Sequence, residues 1–140
     1  MRFHEVTHGV YFDDLDAFRI AHNSRYLLFF ERTIGAFWAR LGYGARPDQN
    51  PDAFHLVRAN HVEYLRPIEQ VGEVRVRVWV EKLGRTSLTF GLRVMPLDED
   101  ADYATGTRTL VCIDPDTRRP VPWSDELRSR LEPFRRDGDV

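Results

Sequence analysis

Three carboxylates, Asp13, Asp14 and Asp16, fall within four positions of the stretch VYFDDLDAFRIAHNSRY. They stand between a strand-like run and an aromatic, helix-like one, and Asp is a poor residue for either element. Like charges this close repel one another. The cluster is therefore a turn, where Asp is at home, or a place where one carboxylate meets a substrate. In the second case a carboxylate can serve as a nucleophile or a general base. Asn23 follows as a good N-cap for a helix beginning at Ser24. A helix N-terminus carries unsatisfied N–H groups and partial positive charge, both suited to a developing oxyanion. His22 beside the carboxylates invites acid–base chemistry without requiring it. Glu31 is a further carboxylate, with a helix-surface ion pair to a neighbouring arginine as its plainer role.

Two other constellations fail. Asp14, Asp16 and Phe18 imitate the start of a calcium loop, but the third oxygen ligand, the turn glycine and the closing glutamate are missing. His4, His8, Asp16 and His22 have no fixed metal-ligand spacing. No metal and no cofactor is expected.

The elements around the cluster follow from periodicity. Residues 5 to 12 read as a strand with Val6, His8, Val10 and Phe12 on one face. From Ser24 to Leu41 the period changes, and Tyr26, Phe30, Ile34, Phe37, Trp38 and Leu41 recur as on a helix face. Leu27, Leu28 and Phe29 widen that face, so the helix is buried on more than one side or at a subunit interface. Gly35 inside it costs about 1 kcal/mol relative to Ala, which close packing on another backbone would explain. Gly42 and Gly44 mark its stop, before a polar loop over 43 to 53. Strands are expected over 53 to 65, 73 to 82, 86 to 95 and 103 to 113. Val74, Val76, Val78 and Val80 share one face, as do Leu88, Phe90, Leu92 and Val94. LGRT and PLDEDAD have hairpin character, so these strands form an antiparallel meander. Ser124 caps a short amphipathic helix over 124 to 134. A strand, a long buried helix and a one-sided antiparallel sheet make an α+β domain, with a curved sheet wrapped around one helix. So small a layer pair tends to dimerise, through a sheet edge or through helices.

The 140 residues suit a single domain, and 42% apolar with 30% charged residues is an ordinary globular composition. A net charge of -2 and a pI near 6.2 give no global attraction to nucleic acid. The single cysteine, Cys112, excludes an intrachain disulfide and reads as a buried, inert thiol. The N-terminal residues lack a signal-peptide core, and no apolar run approaches membrane-spanning length. A cytoplasmic protein is expected, with neither membrane nor nucleic acid as partner.

Four segments, in order, resemble the hotdog-fold acyl-CoA thioesterases of the 4-hydroxybenzoyl-CoA thioesterase type: YFDDLDAFRIAHNSRYLLFFE, HVEYLRPIEQVGEVRVRV, LGRTSLTFGLRV and LVCIDPDTRRPVP. The resemblance covers nearly the whole chain. It implies a hotdog fold, a homodimer or homotetramer, and hydrolysis of an acyl-CoA to a carboxylic acid and CoA. It places the catalytic carboxylate on Asp16 and the carbonyl-binding helix N-terminus at Asn23, and it matches Asp14 to the first Asp of the family's motif; the residues themselves suit Asp14 to bonding loop amides and Asp13 to facing solvent. It suggests substrate contacts from His22, Thr86 and Ser87. Arg58, Arg66, Arg85, Arg118 and Arg119 are candidates for the CoA phosphates, the resemblance favouring an arginine near 84 to 87. Where the family often has Gly and His, this chain has Arg19 and Ile20. The other readings are a hotdog protein that binds an acyl thioester without cleaving it, and a hotdog hydratase or dehydratase.

Overall fold

The computed structural model describes residues 1–43 and 51–137. Five strands form one antiparallel sheet: β1 (His4–Val10), β2 (His55–Tyr64), β3 (Gly72–Leu83), β4 (Ser87–Pro96) and β5 (Ala104–Cys112). Their spatial order is β1-β3-β4-β5-β2. Of the four strands expected as a meander only the last three, β3, β4 and β5, form one. β2 crosses to the far side of β5, so β1 and β2 are the two edges. A long helix, α1 (Asn23–Arg40), lies on the inner face, and a short one, α2 (Asp125–Leu131), follows the sheet.

The alternating valines of β3 and the Leu88–Val94 set of β4 are all buried on the inner face, as expected. They meet Tyr26, Phe29, Phe30, Ile34 and Phe37 of α1 in one continuous core. Gly106 of β5 lies beneath Phe30: a Cβ there would come within 2.7 and 2.9 Å of that ring, and closer still to the His61 carbonyl oxygen. This glycine lets helix and sheet approach closely.

Several expectations are corrected. Phe12 leaves the strand for a 3-10 turn (Phe12–Asp14) and is 86% exposed, because β1 ends where its ladder with β3 ends, at Val10. The helix begins at Asn23 rather than Ser24, and its cap is His22, not Asn23. The His22 backbone is extended, and its ring Nδ1 accepts the Ser24 N–H at 3.2 Å. Gly35 packs against no backbone, since a Cβ there would meet nothing within 4 Å. Gly42, at φ 90°, is the left-handed residue that stops the helix. Gly44 and positions 44 to 50 of the polar loop lie outside the described residues. The C-terminal helix is shorter than 124 to 134: α2 ends at Leu131 and a 3-10 turn, Glu132–Phe134, follows. Ser124 is its cap, accepting the Leu127 N–H, and donates its own hydroxyl to buried Asp52 at 2.6 Å. Phe134 then packs edge-on against Phe37, with centroids 4.8 Å apart, and Arg136 N donates to Val80 O at 2.8 Å. No helix among the described residues is long and apolar enough to cross a membrane.

Candidate active site

Between β1 and α1 the chain folds into a closed loop. Asp14 Oδ2 accepts the Tyr11 N–H at 2.7 Å, Asp14 O accepts His22 N at 2.8 Å, and Arg25 reaches back to Asp14 at 3.3 Å. Asp14 therefore ties the two ends of the loop together. Within it, Leu15 and Ala21 form an antiparallel bridge, and the Asp16 and Ile20 backbones are joined at 2.9 Å. Arg19 closes the turn at φ 61°, a left-handed conformation that costs a non-glycine residue about 1–2 kcal/mol. Asp13 is exposed.

Asp16 sits in the middle of this turn. Its Oδ1 accepts the N–H groups of Phe18 (2.8 Å) and Ile20 (3.4 Å), which fixes the carboxylate plane. Its Oδ2 makes no hydrogen bond among the described residues. Asp16 is thus the expected turn residue through one oxygen and, among the described residues, leaves the other free of hydrogen bonds. Asp16 lines a cavity of about 580 Å³ together with Ile20, His22, Asn23, Tyr26 and Tyr64.

The floor of that cavity is the first turn of α1. Ser24 N is taken by the His22 ring and Arg25 N by His22 O (2.9 Å), while the Asn23 N–H makes no hydrogen bond among the described residues. A donor at the positive end of an 18-residue helix thus sits in the same cavity as the Asp16 carboxylate. Tyr64 OH donates to Asn23 O at 3.2 Å and stands edge-on to Tyr26. Burial pushes the Tyr26 phenol up to about 12, so at neutral pH it stays protonated. Ala21 N donates to Ile68 O at 2.8 Å, which holds the 64–68 segment against the loop.

Asp16, His22 and Asn23 are brought together. Arg85, Thr86 and Ser87 are not: their hairpin leaves β3 at Leu83, whereas the Asp16 loop follows Val10 of β1, which pairs with Gly72 at the other end of β3, about 36 Å away at 3.3 Å per residue. Arg58 occupies a register irregularity of β2, exposed on the free edge. The arginine that does reach the cavity is Arg66, stacked over Tyr103 at 4.6 Å and paired with Glu99 at 3.3 Å. Periodicity alone makes Tyr26 and Tyr64 no more than helix and strand residues. Tyr64 and Arg66 share the Tyr-x-x-Pro motif, ending at Pro67, which is the signal that could have found them. Glu31 does pair with an arginine, but across to Arg108 on β5, at 2.5 Å, rather than along the helix. Among the described residues no group of three or more His, Cys, Asp or Glu side chains is placed to hold a metal ion.

The family model of the thioesterase-like superfamily matches residues 10–131. A thioesterase from Thermus thermophilus, solved with coenzyme A and Zn, shares 30% identity and a TM-score of 0.78, covering 94% of this chain and 92% of its own. The Staphylococcus aureus protein SAV2348, solved in complex with CoA, superposes with a TM-score of 0.84 over 95% of this chain and 84% of its own. Its identity is 16%, so it speaks for the fold alone. The uncharacterized protein YsmA of Bacillus subtilis (strain 168) is 24% identical over 123 residues, 88% of this chain and 81% of that one. With the family matched over most of its length and the curved five-stranded sheet laid on one long helix, the chain belongs to the thioesterase-like superfamily and is a hotdog-fold thioester hydrolase.

Proposed function

We infer that the protein hydrolyses acyl-CoA thioesters in the cavity between the Asp16 loop and the start of α1. One observation carries this reading: Asp16 and Asn23 line the same cavity, and neither the Asp16 Oδ2 nor the Asn23 N–H has a partner among the described residues. The thioester carbonyl oxygen binds at the Asn23 N–H, where the helix field stabilises the charge that develops on attack. Asp16 either attacks the carbonyl carbon or takes a proton from the water that does. The carbon–sulfur bond then breaks and CoA leaves as a thiolate, a good leaving group; on the direct route a water next hydrolyses the mixed anhydride on Asp16, releasing the acid and restoring the carboxylate. His22 holds the helix start in place from beneath, and Arg66 on the rim is suited to a phosphate or pantetheine oxygen of the carrier.

The active form in this reading is a homodimer paired through β2, or a tetramer of two such dimers. β2 is a free edge with Leu56, Val57, Tyr64 and Leu65 each about half exposed or more. Antiparallel pairing of two such edges sets the His55 end of one copy against the Tyr64 end of the other. The 84–87 hairpin of one copy would then lie on the side of its partner's Asp16, giving Arg85, Thr86 and Ser87 a route to substrate that a single chain denies them. A solution mass of twice or four times 16.4 kDa is expected.

The test is thiol release from a panel of aromatic and aliphatic acyl-CoAs by wild type and Asp16→Asn. Release by wild type that falls by about two orders of magnitude or more in the variant supports the assignment. Release undiminished in the variant removes Asp16 from the reaction. Binding without release by wild type would make this a thioester-binding protein instead, and an altered acyl chain on an intact thioester would make it a hydratase or dehydratase.

A further inference from the structure

A second cavity lies along α1 from the first. It has a volume of about 210 Å³ and is bounded by α1 on one side and by β2 and β5 on the other. Three features meet there that neither the core nor the proposed reaction uses.

The first is Arg108. It points inward from β5 in the alternating series Ala104, Gly106, Arg108, Leu110, Cys112, and it is only 5% exposed. A buried charge is expensive, and an apolar residue of similar size commonly gives equal or better stability. Its Nε donates to Asn60 at 2.8 Å and one terminal nitrogen to Glu31 at 2.5 Å. Two of five N–H donors are thus engaged. The second feature is Gly35, which lines the cavity from a helix interior at a cost of about 1 kcal/mol, with nothing among the described residues close enough to require it. The third is His55. Its Nδ1 donates to Asp52 O at 2.9 Å, so in the neutral ring the lone pair is on Nε2, and its face stacks on Trp38 at 5.3 Å.

The walls are therefore divided. Ile34, Trp38 and Leu110 are apolar, whereas Arg108 supplies donors and His55 an acceptor. Glu31 balances Arg108, so the cavity is close to neutral, and a second carboxylate there would face Glu31. A hydroxyl, which both donates and accepts, fits this lining better than a carboxylate or a bare hydrocarbon end. The cavity is larger than a void of about 150 Å³ known to admit a benzene ring. Glu31 lies two turns beyond Asn23, about 12 Å along the helix axis. An acyl group whose carbonyl is at Asn23 and which runs along α1 arrives here with its far end.

We propose that this cavity receives the distal end of the acyl group and selects acyl chains that carry a terminal hydroxyl. The proposal rests on the hydrolase reading above and names its substrate class. The experiment compares kcat/KM for decanoyl-CoA, 10-hydroxydecanoyl-CoA and the ω-carboxylate sebacoyl-CoA, with acetyl-CoA and benzoyl-CoA as short references. Wild type is expected to favour the hydroxylated chain over the other two by about tenfold, the effect of one hydrogen bond to a charged group. In Arg108→Met the ratio of hydroxylated to plain chain falls to about one. That variant should fold, because Glu31 is 66% exposed and is not left stranded. Gly35→Leu fills the cavity from a position with room for it, and lowers kcat/KM for the ten-carbon chains more than for acetyl-CoA. Equal rates for hydroxylated and plain chains in wild type overturn the proposal, as does a preference that survives Arg108→Met. Hydrolysis of the short references with none of the long chains also overturns it, while leaving the hydrolase reading intact. Silence on every thioester overturns both.

Discussion

Gly106, buried on β5, and Gly35, exposed on α1, should respond to alanine with opposite sign. At Gly106 the added methyl would lie 2.7 and 2.9 Å from Phe30 ring carbons and press on the His61 backbone oxygen. Neither neighbour yields cheaply: Phe30 is fully buried, and His61 is held in the β2–β5 ladder. Overpacking of this kind costs about 1–3 kcal/mol, offset by up to about 1 kcal/mol from the stiffer unfolded chain. We take the upper end because a backbone atom is involved, giving a net loss of about 2 kcal/mol. At Gly35 nothing lies within 4 Å, and alanine in a helix interior gains about 1 kcal/mol. For a chain of this size each kcal/mol shifts Tm by about 4 °C. Gly106→Ala should therefore melt about 8 °C below wild type and Gly35→Ala about 4 °C above it. Thermal unfolding followed by circular dichroism at one protein concentration decides the matter. A Tm for Gly106→Ala equal to or above wild type would refute the close approach of helix and sheet. A lower Tm for Gly35→Ala would show that something outside the chain already packs on that position.

Three further outcomes are expected. Asp16→Asn keeps an oxygen for the Phe18 and Ile20 N–H groups and should melt near wild type, whereas Asp16→Ala loses both bonds and about 1–2 kcal/mol; equal Tm values would mean that Asp16 does not hold its loop. Burial pushes the Cys112 thiol up to about 11, so a chromogenic disulfide reagent at about pH 8 should leave the native protein untouched and titrate one thiol in guanidinium. The ring of His8 donates to or accepts from Thr33 Oγ1 at 2.7 Å, and burial, then the nearby Arg32 charge, lowers its pKa below 6.5. His4 is lowered in the same way by burial and Arg40. The unfolded chain then takes up protons first on acidification, so this stability is complete above about pH 6.5 and declines below it. Tm should fall from about pH 7 to about pH 5, less steeply in His8→Gln; a flat or rising profile would contradict the sign.

The parts of the fold that are legible in the sequence are those with local causes. Pleating forces the valines of β3 onto one face, and the 3.6-residue period exposes the core stripe of α1, so both can be read directly. Gly35 misleads because its cost is local but its reason lies in space beyond the helix. The site is half legible. The Asp cluster announces a special loop, and the capping chemistry of the following residues announces a helix start, although His22 caps it with a ring nitrogen where Ser, Asn or Asp more often supply an oxygen. What sequence spacing does not show is that β2 crosses to the outer edge and brings Tyr64 and Arg66 to the Asp16 loop, while the 84–87 hairpin sits at the far end of β3. Arg108 is hidden for another reason. Its strand reads as β-branched and ordinary, and only the register shows that alternate positions, this arginine included, face inward.

The packing of Phe134 on Phe37 has a consequence for how the molecule is made. A ribosome delivers α1 early, with its phenylalanines exposed and no sheet yet to receive them. The strand that partners β1 comes about sixty residues later, and the residue that closes over Phe37 roughly a hundred residues later. At about 5–20 residues per second this helix stays uncovered for about 5–20 seconds of synthesis. A nascent chain holding so apolar a helix uncovered is a natural client for a holding chaperone, and burial of that helix waits until residues 72 to 134 have been made.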